Sequence, residues 1–413
     1  MRKLLFTISA GLLLAQVAAA EVSWLPVAAS DLSPPELVSA DQATAPESLN
    51  NAREAVAFSW PMADQDGAPP ALAEGLAGHT QESRQYWIDT TAEGLAEGIE
   101  LPLSAPGAVV RISPREGGSG LSLNRDRLEL ELDGRPLDTG AHLKQFAGAQ
   151  SLQEARMPVP NETVIFRLDE SVGAGKLAMR LDNPGDDRIP MVVHVYEPES
   201  DVIARMELPR TRYLAGEPVQ VRVDLEAAGR SLQPGQTRGM LVSPDAARTV
   251  PMEWSDRDGT LNTVLPLEAA GQPGTLWEVH VYLEGEREGL AVMRDVQIAL
   301  ASALPTARLN GQVATDRTDE SLELGVEVSQ AGRYQISGVI YGTDREGNLR
   351  PAVISQFAHW LEPGQELLEL PFDRDGLSES GFTAPWEVRD LRLSDQGRLS
   401  LLQYQARALV VSE

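Results

Sequence analysis

Alternation constrains this chain more than any other feature. From about residue 108 onward, apolar residues recur at every second position in short runs, and clusters of Gly, Pro, Asp and Asn separate the runs. Val219, Val221, Val223 and Leu225 alternate with Gln220, Arg222 and Asp224. Leu322, Leu324, Val326 and Val328 alternate with Glu323, Gly325 and Glu327. Successive side chains of an extended chain point to opposite faces, so each run buries one face and wets the other. Helical patterns of about 10–15 residues between such runs are missing, which argues against a parallel α/β fold. The pattern predicts an all-β protein with antiparallel pairing. Helix is expected only as short pieces, at Leu72–Leu76 or Thr90–Leu95, because neither stretch has a full amphipathic pattern.

Length and punctuation set the organisation. At roughly 150 residues per domain, 413 residues make several domains. Cysteine is absent. Disulfide staples, thiolate metal sites and cysteine nucleophiles are therefore excluded, and stability must come from buried cores. Arg2 and Lys3 precede an apolar run from Leu4 to Leu14, and Val17-Ala18-Ala19-Ala20 supplies small residues for a peptidase. That is the layout of a signal peptide, with cleavage expected after Ala20. The apolar run is too short to span a bilayer, which needs about 20 residues.

Residues 21–55 are rich in Ala, Ser, Pro and acids and show no periodicity, so a flexible N-terminal segment is expected. Phe58-Ser59-Trp60-Pro61 reads either as the first strand of the folded part or as an arm packing on it. The expected division is an N-terminal β-sandwich domain at 56–200, a central immunoglobulin-like domain at 201–303 and a C-terminal β-sandwich domain at 304–413. Asp133-Gly134, Asp256-Arg257-Asp258-Gly259 and Asp344-Arg345-Glu346-Gly347-Asn348 read as hairpin turns.

The order of landmarks resembles a known family. Tyr86-Trp87, then Ala105-Pro106-Gly107-Ala108, then a strand ending in Tyr196-Glu197-Pro198-Glu199-Ser200 are similar to the exported bacterial proteins grouped as DUF4785. Leu208 and Tyr213 followed by Gly216-Glu217 resemble the opening of their immunoglobulin-like second domain. Gly332, Tyr334, Tyr341, Gly347, Leu361, Gly364 and Asp390-Leu391 with Leu393 resemble their C-terminal sandwich. The resemblance covers most of the chain after the signal. It implies three tandem immunoglobulin-like domains after a signal peptide and an exported location. It implies no activity and carries over no functional residue.

Charge narrows the partners. The formal net charge is -26, from 61 acids against 35 bases. Nucleic acid and anionic membrane surfaces would be repelled, and no membrane insertion is expected after cleavage. The five histidines, His79, His142, His194, His280 and His359, lack the spacing of a metal-binding pair. There is no G-x-S-x-G elbow. Alternating acids such as Glu129 and Glu131 fall on the wet face of strands, where they protect edges rather than perform acid–base chemistry.

The recurring D-x-D-G is the one metal-like pattern. It occurs at Asp64-Gln65-Asp66-Gly67, at Asp256 and Asp258, and at Asp373 and Asp375. Two carboxylates beside a turn glycine could serve calcium, so Asp256, Asp258, Asp373 and Asp375 are the candidate ligands. The distal acid of a full calcium loop is missing, and a plain Asp-Gly turn explains the pattern as well. No other cofactor is expected. Trp254, Trp277, Trp360 and Trp386 are expected in cores, while Trp60 and Tyr86-Trp87 could offer rings to a sugar. The functional expectation is an exported, non-enzymatic binding or structural protein, monomeric, in the periplasm or outside the cell. Its partner would be a protein or a glycan of the envelope. The alternative is a secreted hydrolase or carbohydrate-binding accessory with carboxylates in a loop cleft.

Overall fold

Strands dominate, and nearly all of them pair antiparallel. The computed structural model describes residues 22–28, 30–39, 52–62, 76–115, 121, 123–185, 188–267, 275–315 and 320–412. The expected signal peptide, Asp64–Gly67 and most of Leu72–Leu76 lie outside these residues. The chain forms two compact units, one of residues 74–304 and one that joins residues 1–73 to residues 305–413.

The 74–304 unit contains two hydrophobic cores. The first lies between a five-stranded and a four-stranded sheet. Val110, Ile112, Phe166 and Val193 enter it from one sheet, and Leu101, Leu130, Leu177 and Met179 from the other. The turn at Asp133-Gly134 has positive φ at both residues, 50° and 75°. A two-residue turn of this kind matches the natural twist of two tightly joined strands, and its two positive φ angles explain the Asp-Gly pair there. The second core is enclosed by a ten-stranded arrangement whose two leaves share the strand Thr249–Ser255. Along Pro218–Ala227 the alternation is realised as read: Val219, Val221, Val223 and Leu225 are all buried. His79–Ser83, expected in the N-terminal domain, instead pairs with Val202–Leu208 and extends this second sheet.

In the other unit, a six-stranded sheet faces a three-stranded one. The order in the large sheet is Val22–Trp24, Ser400–Val411, Thr383–Asp395, Gly332–Thr343, Leu349–Leu361, Val56–Pro61. Both outer strands therefore come from the N-terminal region. Composition predicted a mobile linker over 21–55, yet its described residues are held by isolated anchors. Val22–Trp24 pairs with Leu409–Val411. Leu32 is only 1% exposed and exchanges backbone hydrogen bonds with Tyr404. The Asp31 carboxylate accepts from the backbone N–H groups of Ala28 and Ala406. Val38 is buried, and its N–H donates to the Pro305 carbonyl. Single anchors leave no periodic signature, so a proline-rich stretch can be ordered without looking like an element.

Helix is confined to short pieces, as expected. Ala92–Glu97 falls close to the predicted Thr90–Leu95, with the Thr91 hydroxyl accepting from the Gly94 N–H at 3.0 Å. The stretch Asp373–Gly376 is the correction: it starts the helix Arg374–Glu379 instead of forming a turn between strands.

Candidate functional site

The outermost strand of the six-stranded sheet, Val56–Pro61, reads Val-Ala-Phe-Ser-Trp-Pro, with large apolar residues at 56, 58 and 60 and small ones at 57 and 59. It pairs antiparallel with Leu349–Leu361, placing Val56 opposite Ala358, Phe58 opposite Gln356 and Trp60 opposite Ile354. The two faces can be assigned from the neighbours. Ser59 lies opposite the buried Ser355, whose hydroxyl donates to the Pro371 carbonyl of the small sheet, so that face is turned toward the small sheet, although Ala57 and Ser59 are themselves exposed. Phe58 and Trp60 therefore stand on the outer face. They are 45% and 54% exposed, and Val56 is 53% exposed. Their ring planes are within 28° of parallel, with centroids 6.2 Å apart. Three large apolar side chains in one exposed row are unusual on a protein surface and mark contact sites.

A polar network flanks the row. The Gln335 amide donates to Gln356 at 3.2 Å, the Gln396 amide to Gln335 at 2.5 Å, and Arg333 Nε to Gln396 at 2.9 Å. Arg333, only 4% exposed, also donates to the Ala52 and Glu54 carbonyls. Arg53 lies over the Trp360 ring at 4.6 Å and pairs with Glu362 at 3.4 Å. The entry of the arm strand is thus fixed by two arginines, so Phe58 and Trp60 stand on a positioned strand rather than a loose tail. Trp360 was expected in a core; it is half-buried and covered by Arg53.

The edge has a defined hydrogen-bonding polarity. The Met62 N–H donates to the Ala352 carbonyl, so residues 62, 60, 58 and 56 direct their backbone groups at Leu349–Leu361. Residues 57 and 59 direct theirs away from the sheet. Pro61 follows with a carbonyl but no N–H.

Titratable groups gather elsewhere, inside the 74–304 unit. Arg294 and Glu197 form an ion pair at 2.8 Å with both side chains fully buried. The Glu197 carboxylate accepts from the Ser104 N–H, the Ala105 N–H and the Ser104 hydroxyl. Arg294 donates to the Val202 and Met293 carbonyls and to the hydroxyls of Ser104 and Ser200. Burial pushes the Arg294 guanidinium below its ordinary pKa, against the pull of Glu197. Every strong donor and acceptor here is matched, which describes a structural join rather than a reactive site.

Beside it, Asp295 is 2% exposed and accepts from the Trp87 N–H at 2.7 Å. Burial raises its carboxyl to about 7, with Asp89 adding to the rise. Asp89 itself is exposed and pairs with Arg115. His194, near Trp87 with ring centroids 6.4 Å apart, is lowered to about 4 by burial and by Arg111. His280 meets Trp87 from another direction at 6.5 Å. Trp87 is thus half-buried among histidines instead of offering a free ring. An open cleft of about 530 Å³ lies between His79, Glu207, Arg222 and Thr260.

The calcium candidates fall in separate settings. Asp256 accepts from the Trp254 indole N–H at 2.6 Å, and Asp258 from the Ser255 hydroxyl at 3.3 Å, at the turn between Thr249–Ser255 and Thr260–Val264. Asp373 caps its helix by accepting from the Gly376 N–H at 2.8 Å, and Asp375 sits in the first turn of that helix. Among the described residues, no group of three or more His, Asp or Glu side chains is placed to hold a metal ion.

The join was missed from sequence, although a signal existed. Val292, Arg294, Val296 and Ile298 share one phase of an alternating strand, so Arg294 must enter a core and needs a buried acid.

Two family profiles match the chain: the domain of unknown function (DUF4785) N-terminal domain at residues 47–197, and the C-terminal domain at residues 306–412. Together they span more than half of it. The chain belongs to the DUF4785 family. The N-terminal profile includes the arm strand Val56–Pro61. A crystal structure of a DUF4785 family protein from Legionella pneumophila subsp. pneumophila str. Philadelphia 1 shares 20% identity, covers 91% of this chain and 98% of its own, and superposes with a TM-score of 0.69. That likeness shows the DUF4785 fold. Chicken CNTN1 FN1–FN3 domains share 8% identity, over 82% of this chain and 97% of their own, with a TM-score of only 0.18. Bacteroides uniformis beta-glucuronidase 3 shares 12% identity, over 46% of this chain and 23% of its own, at 0.14. No curated protein matches the chain.

Proposed function

We propose that this DUF4785 protein is an exported, non-enzymatic binding protein of the bacterial envelope or exterior, and that it makes contact through the outer face of Val56–Pro61. One observation carries the reading: Val56, Phe58 and Trp60 form an exposed apolar row on a strand that Arg333 and Arg53 hold in place. A positioned apolar row at the rim of a sheet is a recognition surface that needs no reacting group. The strongly shifted groups support the same reading, because Asp295 is buried and His194 half-buried, and each is already hydrogen-bonded within the fold, to the Trp87 N–H and to Gln85, where a hydrolase would need them open to substrate. Export rests on the leader-like sequence at residues 1–20. Among the described residues, no helix is long and apolar enough to cross a membrane.

The test is retention. Purified chain lacking residues 1–20 is incubated with washed envelope from the source organism. The wild type should be retained, and a Phe58→Ser/Trp60→Ser variant with unchanged circular dichroism should wash off. Equal retention of the two proteins would remove the binding face. Turnover of glycoside or peptide substrates by the wild type would remove the non-enzymatic reading.

A further inference from the structure

Sheet edges are dangerous because their open N–H and C=O groups pair with any passing strand. Several other edges among the described residues carry guards, and the edge of the six-stranded sheet opposite Val56–Pro61, Val22–Trp24, is only three residues long. Glu82, on the edge strand His79–Ser83, pairs with Arg205. Asp89, on Gln85–Thr91, pairs with Arg115, and Lys144, on Leu143–Ala147, pairs with Asp169. Arg135–Leu137 is three residues long and contains Pro136. Val56–Pro61 has no charged residue, and its only guard is the terminal Pro61.

From these observations we propose that the Val56–Pro61 edge binds a partner by strand addition, taking an extended peptide with alternating apolar residues and basic flanks. This rests on the binding reading above and names its occupant. Ala57 and Ser59 each present one N–H and one C=O outward, so a strand of about five residues can form two hydrogen-bonded pairs with them. Every second side chain of the added strand then lies beside Phe58 and Trp60 and covers their exposed faces.

Charge selects among occupants. The chain carries 61 acids against 35 bases, and Glu54 is exposed two residues before the strand. A second copy of the chain would bring the same excess of acid to the edge and be repelled, whereas a basic flank is attracted. A neutral saccharide would use the two rings and leave the Ala57 and Ser59 amides open.

The probe is a synthetic peptide of alternating valine and threonine with lysine at both ends, added to isotope-labelled chain lacking residues 1–20. Strand addition predicts that exchange of the Ala57 and Ser59 amides slows by roughly tenfold or more on binding. Ser59→Pro removes one outward N–H while keeping the bonds to Leu349–Leu361, and should weaken binding by roughly tenfold. A peptide N-methylated along one edge should lose binding to the unaltered protein, which keeps the test valid if the proline variant misfolds. Raising salt from about 50 to about 500 mM should weaken the complex.

Binding that perturbs Phe58 and Trp60 but leaves both amides unprotected would overturn strand addition while leaving the binding face intact. Dimers that disappear on Ser59→Pro would assign the edge to a second copy and overturn the peptide. Binding of laminarin, a neutral glucan, in place of the peptide would assign it to a saccharide, again overturning strand addition alone. No response to any of these probes would also overturn it, whereas the binding reading stands or falls on envelope retention.

Discussion

The Glu197–Arg294 pair and the Phe58–Trp60 pair invert the usual distribution of side chains in opposite ways. One places full charges where no water reaches; the other leaves aromatic rings in solvent. The charges are tolerated because each is surrounded by fixed partners, from Ser104, Ala105 and Ser200 to the carbonyls of Val202 and Met293. The rings have no such compensation in the described structure. A buried charge is thus accounted for by the fold, and an exposed aromatic row calls for something outside it. That difference separates the structural join from the candidate binding face, although both were built from residues that break the alternation rule or complete it in an unusual place.

Removing one member of the join should have the largest effect. Arg294→Ala leaves Glu197 buried without its counter-charge, and should lower stability by about 3–5 kcal/mol in urea unfolding. Replacing both with apolar residues, Glu197→Leu with Arg294→Met, should recover much of the loss. A single variant as stable as the double would show that the pair is not coupled.

The next effect is on pH dependence. The Asp295 carboxyl stands at about 7 in the folded chain, above its ordinary 3.8. Folding therefore favours its protonated form. Its contribution is full at acid pH, declines as the unfolded carboxyl begins to ionise near pH 4, and is lost above pH 7, a span worth on the order of 4 kcal/mol. His194 works in the other direction, since its folded value of about 4 lies below its ordinary 6.5. Its contribution is full above pH 6.5 and is lost as pH falls toward 4. Asp295→Asn keeps an acceptor for the Trp87 N–H, and should leave a melting temperature that falls on acidification, the His194 signature. If the variant's pH profile matches the wild type, Asp295 does not titrate as described.

Helix capping gives a smaller effect. Asp373→Ala removes the acceptor for the Gly376 N–H, and should cost about 1 kcal/mol by urea unfolding, the same with and without chelator. A melting temperature that drops in chelator for the wild type and not for the variant would instead make Asp373 a metal ligand. The smallest effect is expected at the exposed row. Phe58→Ser/Trp60→Ser should change stability by less than about 1 kcal/mol for each residue, because both rings are already about half in water. A loss of several kcal/mol would make the row part of the core and collapse the contrast with the join.

The strand-rich fold was legible because the period-two pattern is local. Val219 to Leu225 and Leu322 to Val328 name their own buried faces. The turn at Asp133-Gly134 was legible for the same reason, since two residues of positive φ leave few choices of side chain. Asp373–Gly376 was ambiguous, because an Asp that accepts from a nearby backbone N–H can equally close a turn or cap a helix. The arm illustrates the harder limit. Phe58-Ser59-Trp60 reads as a strand, yet its partner Leu349–Leu361 lies nearly three hundred residues away, and nothing local encodes that register. Arg294 was readable as a polar residue in a core phase, but its acid was not.

By itself, the sequence determined which residues face inward along each strand and where the hairpins turn, because pleat and turn geometry are set within a few bonds. Only the tertiary structure decided that the proline-rich N-terminal stretch supplies two edge strands, that Arg294 meets Glu197, and that Phe58 and Trp60 remain uncovered. Those outcomes depend on which distant surfaces meet, and the free energy of meeting is spread over both surfaces, so neither segment carries it alone.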